Sequence, residues 1–357
     1  MDDKVRVLVA DDSVFARFSI SNNLKSDPEI EVVGTPRNGI EALKAVADLR
    51  PDVVTLDVLM PEMDGLVALE RIMSECPTPV IMLSGLTGEG TEATIRALEL
   101  GAVDFFLKPS ASTPIGSPEQ VEDLCNRIKI AAKVEIGSLG ANHSPAAIRA
   151  GAREPSGRRS ASLNRMIVIG SSTGGPRALT DLLPAFPARL PASILIVQHM
   201  PPGFTRSLAE RLDSVCELDV KEAVSGETVR PGLALVAPGG YHMVVDEHGS
   251  VTLNDEPPEC GLRPAVNVTM ESVARCYGQS SVGVTLTGMG SDGTRGSALI
   301  KAVGGETIVQ DQSTCVVFGM PRSVIESGNA DRVVNLREIA EAVIEMCDEE
   351  KAEAQHG

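Results

Sequence analysis

The first 134 residues alternate short apolar runs with longer amphipathic segments, and this alternation limits the folds open to the chain more than any other feature. Helical segments are predicted to start at about Val14 and to cover about 39–49, 65–75, 90–100 and 118–134. The apolar runs between them are VRVLVA (5–10), EVVGTP (31–36), DVVTLDV (52–58), PVIMLS (79–84) and DFFLK (104–108). Five strands that alternate with five helices predict an α/β fold with a doubly wound parallel sheet.

The same pattern returns further along the chain and predicts a second, larger sheet. Its apolar runs are MIVIG (166–170), SILIVQH (193–199), GLALVAP (232–238), GVTLTG (283–288) and ETIVQD (306–311). The segment YHMVVDEHGSVTLN (241–254) instead has two alternating runs around His-Gly, which indicates a hairpin. We therefore expect a mostly parallel α/β domain with one hairpin.

Residues 137–164 separate the two patterns and are rich in Gly, Ser, Ala, Pro and Arg, without apolar periodicity. We interpret this segment as a flexible linker, although its four arginines could also lie on either domain. The predicted division is a first domain at 1–125, a helix end plus linker at 126–163, and a second domain at 164–350.

The charge of the chain argues against nucleic acid as its main partner. The net charge of −17 divides into −9 for residues 1–110, +2 for 111–162 and −10 for 163–357. Both predicted domains are therefore acidic, whereas DNA and RNA attract basic surfaces.

The apolar runs and the cysteines indicate a cytoplasmic protein. No stretch approaches the roughly 20 apolar residues that cross a bilayer, and the acidic N-terminus is unlike a secretory signal, so we expect no membrane insertion. The 7 cysteines are odd in number and occur singly, which predicts buried free thiols rather than disulfides or a zinc site.

Charged residues follow the predicted strands of the first domain at the edge where parallel sheets place functional groups. They are Asp11, Asp12, Asp57 and Lys108, with Ser84 after the fourth strand. One carboxylate at a loop end would need no explanation, but a set at successive strand ends favours a site for a hard cation such as Mg²⁺. A carboxylate beside such a cation and a lysine is suited to accept a phosphoryl group.

The motifs VLVADDS, TLDVLMPEMDG, MLSG and FFLKPS resemble the receiver domain of bacterial response regulators, over about residues 3–125. The resemblance implies that a sensor histidine kinase donates a phosphoryl group to Asp57. It also implies that Mg²⁺ is bound by Asp12 directly, beside Asp57, Asp11 and the carbonyl group of Leu59. Lys108 would pair with the phosphoryl group, and Ser84 and Phe105 would be the switch residues.

The second domain contains the turn GSSTGG (170–175) between a strand and a predicted helix. Gly170-x-Ser172-x-Gly174 fits the nucleophile-elbow pattern, in which glycines two residues to either side expose a serine. Ser171 lacks this spacing. A glycine-rich loop at the start of a helix can also bind an anion, but the lysine of a P-loop and the dinucleotide glycine spacing are absent.

A nucleophilic serine needs a histidine and a carboxylate, and other strand ends offer both. His199 follows the strand SILIVQ, and Asp292 lies in the glycine-rich loop after VTLTG, whose backbone N–H groups could bind an oxyanion. His242 at a loop-to-strand junction is interpreted as structural, although it could line a cleft. His248 in the hairpin turn and His356 in the tail are expected to face solvent.

The segments GSSTGGP, VQHMPPGFTRSLAERLD, LVAPGGYHM and TLTGMGSDGTRG resemble the catalytic domain of chemotaxis response-regulator protein-glutamate methylesterases, over about 165–345. The resemblance implies that Ser172 is the nucleophile, His199 the general base and Asp292 the orienting acid. Backbone N–H groups of Met289 and Thr173 would form the oxyanion hole. In RPAVN (263–267), Ala265 and Asn267 depart from the Ser and Asp that the family more often has, which affects the expected substrate contacts.

Together the resemblances imply a phosphorylation-activated enzyme that demethylates glutamate methyl esters and deamidates glutamines on methyl-accepting chemoreceptors. Mg²⁺ would serve phosphorylation only, with no cofactor for hydrolysis, and the protein would be a monomer. The receiver is expected to cover the catalytic face until Asp57 is phosphorylated. The alternative is a non-catalytic, phosphorylation-gated binding module; a transcription factor would require a basic recognition helix, which the second half lacks.

Overall fold

A computed structural model describes residues 4–85, 88–108, 117–134, 136 and 165–354, without the side chains of 88, 89 and 348–354. The chain divides into two compact units, Met1–Ala141 and Asn142–Gly357. The predicted linker at 137–164 and His356 lie outside the described residues.

The first unit contains a five-stranded parallel sheet, as the alternating pattern predicts, and its strand order is β2-β1-β3-β4-β5. Its strands are β1 (Val5–Ala10), β2 (Ile30–Gly34), β3 (Val53–Asp57), β4 (Val80–Ser84) and β5 (Asp104–Leu107). Its helices are α1 (Val14–Lys25), α2 (Gly39–Leu49), α3 (Gly65–Glu75), α4 (Gly88–Glu99) and α5 (Pro118–Ala131).

Local sequence signals explain where these elements begin. The side chains of Ser13, Asn38, Asp64 and Ser117 each accept a hydrogen bond from a backbone N–H in the first turn of α1, α2, α3 and α5. Such caps contribute about 1 kcal/mol each. The central strands β3 and β4 are buried at every residue, which explains their nearly continuous apolar sequences.

The second unit contains a seven-stranded parallel sheet with the order β14-β13-β12-β6-β7-β9-β8 and a separate antiparallel hairpin of β10 and β11. Its strands are β6 (Arg165–Ser171), β7 (Ala192–Gln198), β8 (Asp219–Glu222), β9 (Leu233–Val236), β10 (His242–Val245), β11 (Val251–Asn254), β12 (Ser281–Thr285), β13 (Glu306–Gln310) and β14 (Arg332–Val334). Its helices are α6 (Gly175–Leu182), α7 (Phe204–Val215), α8 (Val266–Tyr277), α9 (Thr294–Ala302), α10 (Met320–Glu326) and α11 (Ile339–Ala354). The mostly parallel sheet and the hairpin are confirmed, whereas the edge strands β8 and β14 were not predicted.

The register of the three central strands brings the predicted site loops together. Ser171 at the end of β6 pairs with Gln198 at the end of β7, and Gly170 pairs with Thr285 at the end of β12. The loops that start at Ser172, His199 and Leu286 therefore leave the sheet side by side. This is the edge at which open α/β sheets bind ligands.

All 7 cysteines are free, as the sequence indicates, but only Cys125 and Cys347 are buried as expected. The expectation is wrong for Cys76 and Cys260, which are exposed, and the other three are partly buried. Cys76 is exposed because it follows the last turn of α3, and Cys260 lies in a turn with a φ of 51°. Among the described residues, no helix has both the length and the apolar character that a membrane crossing requires.

Candidate active site

The first unit brings its predicted charged residues together at the carboxyl ends of β1, β3 and β5. Lys108 Nζ lies 2.6 Å from Asp11 Oδ2 and 2.6 Å from Asp57 Oδ2. Asp11, Asp12 and Asp57 each offer a carboxylate oxygen, and these oxygens lie within 4.8 Å of one another. Three hard oxygen donors at this spacing are suited to a divalent cation such as Mg²⁺.

Burial raises the pKa of Asp57 to about 6, although the hydrogen bond and charge of Lys108 oppose the increase. The nearby charge of Asp11 contributes to the increase, and the backbone N–H of Leu59 opposes it. Two carboxylates facing one ammonium group leave negative charge uncompensated in a buried place. The first site therefore favours binding of an additional cation.

This shift predicts that the first unit loses stability as pH rises from about 4 to about 7 in metal-free buffer. Folded Asp57 holds its proton up to a pKa of about 6, whereas the unfolded carboxyl releases it near 3.8. The folded state binds the proton more tightly, so the loss over this pH range amounts to about 2 kcal/mol. Hydrogen exchange of the buried β3 amides measures it.

Asp57→Asn should remove most of this pH dependence, whereas Asp48→Asn on the exposed surface of α2 should leave it unchanged. Equal pH dependence in the wild type and in Asp57→Asn would contradict the account.

The remaining residues predicted for the first site are buried beside it or lie at its rim. Ser84 is fully buried, and its Oγ lies within donating distance of the carbonyl groups of Gly85 and of Gly90 in the first turn of α4. The same Oγ accepts a hydrogen bond of 2.8 Å from Thr94 Oγ1. Phe105 is also buried, and Leu59 has an exposed side chain. The switch roles of Ser84 and Phe105 and the role of the Leu59 carbonyl group stay predictions.

In the second unit, the two adjacent serines have opposite environments. Ser171 is fully buried, and its Oγ donates a hydrogen bond of 2.6 Å to Gln198 Oε1. Ser172 leaves the sheet and is partly exposed, and Gly174 follows with a φ of 79°. This positive φ allows the sharp turn into α6. Ser172, rather than Ser171, is therefore placed to meet a substrate.

His199 and Asp292 are brought together from different loops. His199 Nε2 lies 2.8 Å from Asp292 Oδ2, and both side chains are largely buried. The residues are 93 positions apart in the chain. A carboxylate in contact with one ring nitrogen fixes the tautomer and leaves the other nitrogen, Nδ1, to act as a base.

Asp292 is held from several directions. Its Oδ2 accepts a hydrogen bond of 2.6 Å from the backbone N–H of Val266, and its Oδ1 accepts one of 2.9 Å from that of Asn267. Burial alone would raise the pKa of Asp292, but the hydrogen bond and charge of His199 and these two backbone groups lower it below the usual value. Asp292 is therefore a carboxylate at neutral pH.

Two residues of RPAVN, Ala265 and Asn267, lie at the start of α8 beside Asp292. Ala265 is the N-cap residue of α8 and offers no side-chain cap, but Asp292 satisfies the first N–H groups of this helix instead. Asn267 Oδ1 accepts hydrogen bonds of 3.0 Å from Gly293 N and 2.9 Å from Gly296 N. Asn267 therefore stabilises the loop of Asp292 and the start of α9.

The loop that contains Met289 lies directly against the serine turn. The backbone N–H of Ser172 donates a hydrogen bond of 3.0 Å to the carbonyl group of Thr287, and a Cβ atom on Gly288 would lie 2.7 Å from the Ser172 Cβ. Thr287 Oγ1 in turn donates to the carbonyl group of Thr173 over 3.0 Å. The N–H groups of Met289 and Thr173 thus belong to segments that adjoin Ser172.

Within the described part of the chain, no hydrogen bond joins Ser172 Oγ to His199. The segments that carry them are linked through the backbone, because the N–H of His199 donates a hydrogen bond of 3.1 Å to the carbonyl group of Ser171, the residue before Ser172. Catalytic hydrogen bonds are often long in ligand-free structures and shorten when substrate binds.

The other histidines lie elsewhere. His248 is exposed in the hairpin turn, as expected. His242 is buried in β10, and its Nε2 lies 3.3 Å from the carbonyl oxygen of Pro257. Its Nδ1 has no hydrogen-bond partner among the described residues, so only one of the two ring nitrogens is satisfied. The structural role of His242 stays a prediction.

Two glutamines at strand ends contact the site but were not predicted from the sequence. Gln198 contacts both the serine turn and the His199 backbone, and Gln310 Oε1 accepts a hydrogen bond of 2.8 Å from Thr287 N. Both are buried polar residues that end otherwise apolar strands. A polar residue at the carboxyl end of a fully buried strand was the available signal.

Two family models match the chain, and together they cover both units. The response regulator receiver domain matches residues 7–116, and the CheB methylesterase matches residues 167–343. The chain is also similar to the crystal structure of the Thermotoga maritima CheB methylesterase catalytic domain, with a TM-score of 0.50 and 49% identity. That comparison covers 51% of this chain and 98% of the solved domain.

Full-length relatives match nearly the whole chain. A protein-glutamate methylesterase/protein-glutamine glutaminase from Symbiobacterium thermophilum is 50% identical, over 95% of this chain and 96% of its own length. One from Pyrococcus abyssi is 49% identical, over 96% of this chain and 93% of its own length. The chain therefore belongs to the protein-glutamate methylesterase/protein-glutamine glutaminase family, with a receiver domain ahead of its CheB methylesterase domain.

Proposed function

We propose that this chain is a phosphorylation-activated hydrolase that demethylates glutamate methyl esters and deamidates glutamines on chemoreceptors. The observation that carries the proposal is the hydrogen bond between His199 and Asp292, on a loop that leaves the sheet beside the partly exposed Ser172. Relatives of nearly the same length that share about half of their residues with this chain carry both activities in their names.

The proposed reaction has two stages. Ser172 Oγ attacks the side-chain carbonyl carbon of the methyl ester while its proton passes to His199, and a tetrahedral oxyanion forms. Methanol leaves with that proton, so an acyl-enzyme remains on Ser172. Water then attacks the acyl carbon, again with His199 as base, and releases glutamate. A glutamine side chain follows the same path with ammonia as the leaving group.

The contacts of His199 assign its ring nitrogens within this proposal. Asp292 faces Nε2, so Nδ1 would take the proton of Ser172. The low pKa of Asp292 suits this role, because the carboxylate stays ionised and stabilises the imidazolium that forms. Backbone N–H groups of Met289 and Thr173 would donate to the oxyanion, each contributing about 3 kcal/mol.

The first unit would supply the control. A sensor histidine kinase would donate the phosphoryl group to Asp57, and Lys108 would pair with the phosphoryl oxygens. Asp11, Asp12 and Asp57, together with the Leu59 carbonyl group, would hold a divalent cation such as Mg²⁺ that neutralises charge during transfer. Ser84 and Phe105 would reposition on phosphorylation. No cofactor is proposed for hydrolysis.

The proposed division of labour follows the chain. Residues 1–125 form the receiver, 126–163 end its last helix and form the linker, and 164–350 form the catalytic domain. The enzyme would act as a monomer in the cytoplasm, on the receptor helices that carry the modified glutamates and glutamines.

Methanol release from methyl-labelled receptor membranes tests the proposal. Residues 160–357 should release labelled methanol, Ser172→Ala should release none above background, and Ser214→Ala on the exposed surface of α7 should match the parent fragment. A relative's catalytic domain has been solved alone, which supports the use of this fragment. Equal release by the parent and Ser172→Ala would exclude the proposed enzyme and favour a binding module.

A further inference from the structure

The side chain of Gln198 ties the serine turn to the base. It lies at the end of β7, opposite Ser171 in the register of the two strands, and is almost completely buried. Its Nε2 donates a hydrogen bond of 2.9 Å to the carbonyl group of Ser172 and a second of 3.3 Å to that of His199. Its Oε1 accepts a hydrogen bond from Ser171 Oγ.

The fit around this amide is close. A Cβ atom on Gly175 would lie 2.0 Å from Gln198 Oε1 and 2.8 Å from the Ser171 Cβ, so the first residue of α6 packs directly on the amide. Gly175 N also donates to the carbonyl group of Ser172 over 2.8 Å. The carbonyl group of Ser172 is therefore fixed by two donors, one of which is the last residue of β7, directly before His199.

From these contacts we infer that Gln198 is a positioning residue that sets the distance and orientation of Ser172 relative to His199. The inference rests on the proposed function of Ser172 and His199. Since no side-chain hydrogen bond joins these two residues in the described structure, their alignment depends on groups that hold both backbones. Gln198 Nε2 is such a group, because it contacts the carbonyl groups of both.

A loosened turn would affect the chemical step more than substrate binding, because small displacements of reacting groups lower rates steeply. Gln198→Met keeps the length of the side chain but removes both polar ends. Gln198→Glu keeps the shape, and its ionised form places an acceptor against two carbonyl oxygens. Only the protonated form of that glutamate can again donate a hydrogen bond to the carbonyl group of Ser172.

The experiment measures kcat and KM for methanol release between pH 6 and pH 8 in the full chain, with saturating Mg²⁺ and acetyl phosphate. At pH 8 both variants should lose roughly 10- to 100-fold in kcat, with KM within about twofold of the wild type. The kcat of Gln198→Glu relative to wild type should rise as pH falls, whereas that of Gln198→Met should stay constant. Dividing by the wild-type value at each pH removes the pH effects that the wild type and the variants share, and Gln198→Met shows what remains without a new carboxyl group.

Ser171→Ala is the matched control, because it removes the contact at Oε1 and leaves both Nε2 hydrogen bonds. It should cost only a few-fold in kcat. The inference is overturned if Gln198→Met keeps kcat within threefold of wild type, or if Gln198→Glu and Gln198→Met show equal losses at every pH. If the wild type releases no more methanol than Ser172→Ala, the proposed function itself fails.

Discussion

Replacing Ser172 by alanine is expected to lower kcat for ester hydrolysis by roughly 10⁶-fold, and adding His199→Ala should lower it no further. Residues that act as one unit show this non-additivity, because a base without a nucleophile does nothing. Asp292→Asn alone should cost roughly 10⁴-fold, since an amide in that place favours the wrong tautomer of His199. Single-turnover methanol release measures all these rates.

A measurement of folding is the control for these variants. Asp292 also caps α8 through the N–H groups of Val266 and Asn267, so Asp292→Asn is expected to lower the melting temperature slightly as well. A loss of activity that merely tracks unfolding would therefore be visible in the circular dichroism of the same samples. If the loss in kcat of the double variant equalled the product of the losses in Ser172→Ala and His199→Ala, the two residues would not act as one catalytic unit.

Asp57→Ala is expected to abolish the stimulation of hydrolysis by phosphodonors, because it removes the carboxylate that would accept the phosphoryl group. Deleting residues 1–140 should instead raise the basal rate above that of the unphosphorylated full chain, because the domain that we propose to inhibit hydrolysis is then absent. Both are measured as methanol release with and without acetyl phosphate and Mg²⁺. Asp48→Ala on α2 is the matched control and should respond like the wild type.

The two variants separate regulation from chemistry. A truncated protein that is no more active than the intact chain would exclude inhibition by the receiver and leave the hydrolysis proposal standing. Stimulation that persists in Asp57→Ala would place the phosphoryl group elsewhere.

Residues at strand ends were predictable because a parallel sheet places all its carboxyl ends at one edge. The apolar runs before Asp11 and Asp57 identified their strands, and DFFLK placed Lys108 at the same edge, where Lys108 contacts both carboxylates. The same rule selected His199 and Asp292, which lie 2.8 Å apart. Short, buried and strongly apolar strands carry a clear signal.

The features missed from the sequence depend on contacts between distant residues. Strand β8 has the sequence DVKE and strand β14 has only 3 residues, so neither carries an apolar run. Both lie at the edges of the sheet, where tertiary pairing rather than composition defines a strand. The contacts of Gln198 and Asn267 were also not predicted, because a single polar residue does not reveal which backbone groups it contacts.

The central claim is that Ser172, activated by His199, is the nucleophile of a phosphorylation-controlled hydrolase. Labelling the full chain with a fluorophosphonate, which forms a stable adduct with an activated serine, and mapping the adduct by peptide mass spectrometry tests this claim most directly. We expect the adduct on Ser172, faster labelling with acetyl phosphate and Mg²⁺, and none in His199→Ala. An adduct on Ser171, or labelling of Ser172 that does not depend on His199, would contradict the account.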